Sequence, residues 1–203
     1  MPHAVLQTPR LTLLPITLPV VEAIMLGRRE DAEAIIGARL PDAWPNRALI
    51  ERAFCASLDR IREAPELRLW GDRVMVTRAS ALPSESGTMS LDLEGPRVVG
   101  SVVFHGAPTD DGEVEVAYGV EQDSQLRGYA TEAVRASVEW ALSDPRVRVV
   151  RATTPPWHMA SRRVLEKIGM RATGTREHEL LGDLLEYERR PDPRLRALPL
   201  QRA

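Results

Sequence analysis

Seven residues, Gln125-Leu-Arg-Gly-Tyr-Ala-Thr131, stand where a strand pattern ends and a helix pattern begins. A Gly-containing turn at such a junction leaves backbone N–H groups without intrahelical partners, aimed outward at the positive end of the helix dipole. Such a place suits an anionic ligand, a pyrophosphate in particular. Some thirty residues on, Thr154-Pro-Pro-Trp-His158-Met-Ala-Ser161 sets an imidazole and a hydroxyl at the start of a second helix. The hydroxyl can cap that helix or donate to a ligand, and the imidazole can contact a ligand or carry a proton. Other residues capable of chemistry do not converge in the sequence. His3 is near the start of the chain, His105 and His178 are isolated in strand contexts, and no spacing matches a metal site. The single cysteine, Cys55, lies in an apolar stripe with Ile50, Phe54, Leu58 and Ile61, which favours core packing over a nucleophile.

The elements that must position these groups follow from periodicity. Residues 113–120 alternate, with Glu113, Glu115, Ala117 and Gly119 on one face and Val114, Val116, Tyr118 and Val120 on the other, the period of a strand. After the loop, Ala130, Ala133, Val134, Ser137, Val138, Ala141 and Leu142 recur at i, i+3, i+4, i+7, i+8, i+11 and i+12, one buried stripe of a helix. A strand over 148–153 follows and makes a right-handed parallel strand-helix-strand unit. A helix over 159–167 ends at Gly169, and two last strands flank Leu181-Gly182-Asp183. Upstream, strands are expected over 10–16, 68–78 and 97–105, with helices over 19–27, 30–38 and from Asn46 to residue 63. Residues 79–96 have loop character, and Asp110-Asp-Gly112 marks a hairpin turn. The fold class is α/β, a mixed α+β sheet with hairpins on one side and a helical crossover at the centre.

At 203 residues the chain suits one domain, expected over 1–190 with a loose Pro/Arg-rich tail over 191–203. The 27 basic and 29 acidic residues give a net charge of −2 with no basic run, so a nucleic-acid partner is not expected. The apolar residues 11–21 are interrupted by Pro15 and Pro19 and are followed by Glu22, which argues against a signal peptide. No apolar run approaches the roughly 20 residues of a membrane span. A cytoplasmic protein without membrane contact is expected.

Taken together, Thr-Pro-Arg-Leu-Thr-Leu at 8–13, Glu115-Val-Ala-Tyr118, the 125–130 loop continuing as Thr131-Glu-Ala133, and Ala160-Ser-Arg-Arg-Val-Leu-Glu-Lys-Ile-Gly169 resemble the GCN5-related N-acetyltransferase (GNAT) family, within it the ribosomal-protein-alanine N-acetyltransferase type of branch. The resemblance spans about residues 6–189. It implies a GNAT-type fold with about seven strands, a splayed central parallel pair and about four helices. It also implies acetyl-CoA, or another acyl-CoA, as co-substrate, with no metal. Gln125, Leu126, Arg127, Gly128, Tyr129, Ala130 and Thr131 would hold the pyrophosphate. Tyr118, Gly119 and Val120 would line the pantetheine, with a backbone N–H near Val120 meeting the oxyanion. His158 stands where the family usually has Asn and would take its cofactor-contacting place. Leu165 stands where many members have the Tyr that protonates the leaving thiolate. The branch resembled often lacks that Tyr too and has Ser at the place of Ser161, whose hydroxyl the resemblance makes a candidate donor to the sulfur, the alternative being a helix cap.

The implied reaction is attack of a neutral primary amine on a thioester. At pH 7 a lysine-like amine costs about 4.6 kcal/mol to deprotonate and an α-amine about 1.4 kcal/mol, so a base helps lysine-like acceptors most. Glu115, as base or as positioner of a water, is the candidate, and Glu113 on the same face is the alternative. Both would otherwise be solvated or ion-paired strand residues. Trp44, in a Pro-flanked loop, is expected to line the acceptor pocket or to plug the edge of the core. The acceptor is a protein N-terminus or a small-molecule amine, and a homodimer is a family habit. The contrasting reading is a non-catalytic acyl-CoA binding module. A Rossmann-type site is excluded by the missing three-glycine pattern.

Overall fold

A computed structural model describes residues 4–42, 58–78, 95–179 and 181–192. Trp44, Cys55, the proposed Asn46 cap, most of the 79–96 loop, His3 and nearly all of the 191–203 tail lie outside the described residues. In chain order the elements are β1 (Leu6–Gln7), β2 (Leu11–Pro15), α1 (Leu18–Met25), α2 (Arg29–Ile36), α3 (Leu58–Glu63), α4 (Pro65–Arg68), β3 (Arg73–Thr77), β4 (Val98–Phe104), β5 (Glu113–Val120), a 3₁₀ turn (Gln122–Ser124), α5 (Tyr129–Ser143), β6 (Val149–Thr154), α6 (Met159–Lys167), β7 (Arg171–His178) and β8 (Gly182–Arg189). The strands form one eight-stranded sheet in the order β1-β2-β3-β4-β5-β6-β8-β7. Every neighbouring pair is antiparallel except β5 and β6.

The mixed α/β sheet matches expectation, with eight strands instead of about seven. The extra one is β1, whose two residues pair with Leu13 and Thr12 across a tight turn. Two residues are too short for a period-2 signal. The segment expected as a strand from 68 begins as helix and turn. Pro65 starts α4 with its fixed φ, and the chain reaches extended geometry only at Arg73.

Both faces of the sheet are packed. On one, Ala133, Val134, Val138 and Ala141 of α5 and Leu165 of α6 meet Val114, Val116, Val99 and Val102. On the other, Val20, Val21, Ile36 and Ile61 of α1 to α3 meet Val74, Val76, Val98 and Val103. Within β4 the parity changes, Val99 and Val102 facing one core and Val98 and Val103 the other. A register shift opposite Met75 and Val76 accounts for it. At that bulge a Cβ on Gly100 would lie 2.2 Å from the Gly119 carbonyl oxygen. Only glycine lets β4 press this closely on the end of β5.

Candidate active site

Strand β5 keeps β6 as a partner for only three residues, Glu113, Val114 and Glu115, opposite Val149, Val150 and Arg151. Beyond Glu115 the strands part. Residues 116–120 pair with β4 alone, while Ala152, Thr153 and Thr154 pair with β8. The ladder fixes which amides face the opening. His105 N–H donates to the Glu115 carbonyl and Glu121 N–H to the Val99 carbonyl. By antiparallel alternation the N–H groups of Ala117 and Gly119 therefore point at β4, and those of Tyr118 and Val120 point into the gap.

At the end of β5 the chain turns through 122–128 into α5. Leu126 has φ 61° and Gly128, the N-cap, has φ 80°. Two left-handed residues so close together turn successive amides toward one side. Among the described residues, no backbone carbonyl accepts from Leu126, Arg127 or Gly128 N–H. The loop is braced from behind. Gln125 Nε2 donates to the Val120 carbonyl at 3.1 Å, and Arg10 Nη1 donates to the Arg127 carbonyl at 2.7 Å. Arg10 also lies 4.9 Å above the Tyr129 ring and pairs with Glu132 at 2.7 Å. Glu132 accepts in addition from the Thr8 hydroxyl at 2.6 Å and from Arg10 N–H at 2.9 Å. Burial pushes the Glu132 carboxyl up, but these donors outweigh it and hold the group below its ordinary range. Gln125 is thus part of the scaffold. Arg10, which the loop motif does not announce, is its main support.

Across the gap, α6 begins at His158, whose Nδ1 accepts from Ser161 N–H at 3.0 Å. The cap is the imidazole, which frees the Ser161 hydroxyl from that duty. It meets the Tyr118 hydroxyl at 2.9 Å instead, and the same phenol lies 3.1 Å from the Ser161 carbonyl. Burial pushes the Tyr118 phenol up to about 12. A bridge thus spans from β5 to the start of α6. Leu165 is fully buried in the core. Trp157 is largely exposed beside His158, their rings 5.8 Å apart.

On the opposite face, where the strands part, Glu115 gathers three groups, one from the residue just past β4 and two from β6 and β7. His105 Nδ1 is 3.7 Å from Oε2, the Thr153 hydroxyl donates to Oε1 at 2.9 Å, and Arg176 Nη2 is 3.4 Å from Oε1. His105 foremost, then Thr153 and Arg176, hold the carboxyl at about 2 against the upward push of burial. Glu113 is committed elsewhere, to Arg151 at 2.7 Å, which lowers it. The two glutamates share a face as the alternation requires, yet only Glu115 stands where the gap opens. His105, isolated in the sequence, is its neighbour across β4 and β5. The signal for it lay in strand register, since the Asp110-Asp-Gly112 turn returns β5 alongside β4.

Among the described residues no group of three or more His, Cys, Asp and Glu residues is placed to hold a metal ion, and no helix is long and apolar enough to cross a membrane.

Comparison with known proteins bears on this geometry. A family model described as an acetyltransferase (GNAT) domain matches residues 10–171. The chain is 26% identical over 172 residues to the uncharacterized N-acetyltransferase YjdG of Bacillus subtilis, covering 81% of this chain and 88% of that protein. Its fold is similar to that of a ribosomal-protein-S5-alanine acetyltransferase from Vibrio fischeri, at TM-score 0.57 and 13% identity, over 94% of this chain and 98% of the other. It is also similar to an aminoglycoside acetyltransferase solved with coenzyme A, at TM-score 0.52 and 18% identity, over 89% and 94% of the two chains.

Proposed function

The chain belongs to the acetyltransferase (GNAT) domain family and is an acetyltransferase, and on that premise we propose that it moves an acetyl or related acyl group from acyl-coenzyme A to a primary amine by direct attack within a ternary complex. The observation that carries this reading is the parting of β5 from β6 after Glu115, beside a loop in which, among the described residues, no backbone carbonyl accepts from Leu126, Arg127 or Gly128 N–H. The residues fit such a donor. Amides at 126–128 and the first turn of α5 suit a pyrophosphate, and the unpaired amides of Tyr118 and Val120 suit an extended amide-bearing arm, which would add to β5 as a strand does. The bound coenzyme would supply an activated thioester. The chain's own residues do the rest: Val120 N–H is placed to receive developing oxyanion charge, and the Ser161 hydroxyl, polarised by Tyr118, is the donor nearest the start of α6. Glu115, a carboxylate already engaged by three groups, serves to position rather than to accept a proton.

The acceptor is an α-amine of a protein N-terminus or a small-molecule amine; of the two similar folds, one is a ribosomal-protein-S5-alanine acetyltransferase and the other an aminoglycoside acetyltransferase. We place its approach on the Glu115 face, in the cytoplasm. A second reading, a non-catalytic acyl-CoA binding module, draws on Leu165, which is buried where many family members carry an acid. One assay separates the two. Coenzyme A release is followed with acetyl-CoA and an alanine-initiated peptide, spermidine or an aminoglycoside. Release that depends on one of these amines is expected; tight acetyl-CoA binding with no amine-dependent release would favour the module.

A further inference from the structure

His105 follows β4 directly, opposite Glu115, with its side chain 37% exposed. Nδ1 is the ring nitrogen that faces the Glu115 carboxylate. A carboxylate accepts, so a hydrogen on Nδ1 is favoured, which leaves Nε2 on the far edge of the ring with a free lone pair. Glu115 itself is fixed by the Thr153 hydroxyl and by Arg176. Among the described residues, the charged groups facing the ring are Glu115 from β5 and, beyond that carboxylate, Arg176 from β7 with its partner Glu186 from β8. Glu113 and Arg151 form their own pair one step along the strands. At 3.7 Å from Nδ1 the carboxylate lies just beyond hydrogen-bond length, near enough to orient the ring once an acceptor is bound, and it is itself held by a hydroxyl and a cation, the grouping on which general-base catalysis is built. It stands on the acceptor side of the sheet, where β5 and β6 begin to separate.

We propose that His105, through Nε2, is the group that removes the proton from the acceptor ammonium, with Glu115 holding the ring. The inference rests on the acyltransfer reading. The ammonium gives one proton to Nε2 and becomes a neutral amine. Its lone pair forms the C–N bond to the thioester carbonyl carbon, the C–S bond breaks, and the second proton lost from nitrogen ends on the departing thiolate. His105 then returns its proton to solvent. Thr153 and Arg176 are positioning residues that act through Glu115.

The test uses the full chain, acetyl-CoA, and whichever of the peptide, spermidine and aminoglycoside is turned over fastest. H105Q and H105N should keep the parent's acetyl-CoA affinity while kcat/KM for the amine falls about 10²-fold or more. The rising acid limb of kcat/KM against pH should be lost in both. Added imidazole should restore part of the rate to H105A, which a merely structural role would not allow. Independently of turnover, imidazole ¹⁵N spectra of the protein alone should show the proton on Nδ1, and E115Q should shift it. A proton resident on Nε2, or an unchanged rate and pH profile in H105Q and H105N, would overturn the assignment while leaving the acyltransfer reading in place. If the parent turns over none of the amines, both fall together.

Discussion

Two acid–cation groupings in this molecule use the same side-chain chemistry to opposite ends. Asp72 and Arg73 are sealed beneath Trp70, Phe104 and Trp140, with Asp72 only 1% and Arg73 0% exposed. The aromatic rings lie 4.8–6.2 Å apart, and the Arg73 guanidinium sits 4.0 Å over Trp140. Asp72 Oδ1 accepts from Phe104 N–H at 2.7 Å, and Arg73 Nη1 donates to the Gly71 carbonyl at 2.6 Å. Among the described residues, Asp72 Oδ2 and Arg73 Nη2 have no hydrogen-bond partner. Burial dominates there, pushing Asp72 well above the usual carboxylate range despite its neighbour and lowering Arg73 to about 10. At Glu115 the donors dominate and the carboxyl falls to about 2. Adjacency of opposite charges does not decide the outcome; the balance between the depth of burial and the donors that reach the oxygens does. The sealed pair organises a core. The open one is charged and stands where β5 and β6 part.

The largest effect should come from breaking the sealed pair. R73M removes the carbonyl bonds and the stack on Trp140 and strands a buried carboxylate, an expected loss of about 3–5 kcal/mol by denaturant unfolding. D72N keeps the acceptor for Phe104 N–H and removes the charge. Because the folded carboxyl titrates above its unfolded value, its ionisation costs stability, a cost absent below about pH 4 and growing as pH rises. D72N should therefore gain on the parent with increasing pH, and R73M with D72N should lose less than the two single changes summed. A D72N loss that grows with pH would refute the contrast.

Next in size is E115Q. A carboxyl depressed to about 2 contributes stability above its unfolded value, lost as pH falls toward 2. The variant should be roughly 2–3 kcal/mol less stable at pH 7, and parent and variant should converge between about pH 4 and pH 2. A constant difference across that window would mean that packing, not charge, holds Glu115. The smallest effect belongs to an arginine that is neither sealed nor at the face of the gap. R10A removes the brace behind the 125–130 loop, and titration calorimetry should show acetyl-CoA bound up to about tenfold more weakly, on the order of 1 kcal/mol, with little change in unfolding midpoint.

The helices around the site are written plainly in the sequence. The stripe from Ala133 to Ala141 is buried as its spacing requires, and α6 runs over 159–167 as expected. The loop at 125–131 is marked by its glycine and its place between strand and helix. What is not written is anything that depends on which strands lie side by side. His105 meets Glu115 only through the β4–β5 register, Arg176 reaches the same carboxylate from β7, and Arg10 meets the loop 117 residues later in the chain. His158 displaces Ser161 as cap because an imidazole Nδ1 can do what a hydroxyl oxygen does, a substitution outside the usual cap preferences. The short β1 and the α4 turn carry too few residues for any period to register.

The parting of β5 from β6 also bears on solubility. A strand with one unpaired side normally sits at the rim of a sheet, where it can recruit a strand from another molecule and seed aggregation. Here the unpaired length lies in the interior of the sheet, walled by β4 on one side and by β6 with its partner β8 on the other. A single extended chain fits such a slot; the edge of another sheet does not. The protein thereby keeps the pairing capacity of a free edge without presenting that edge to its neighbours.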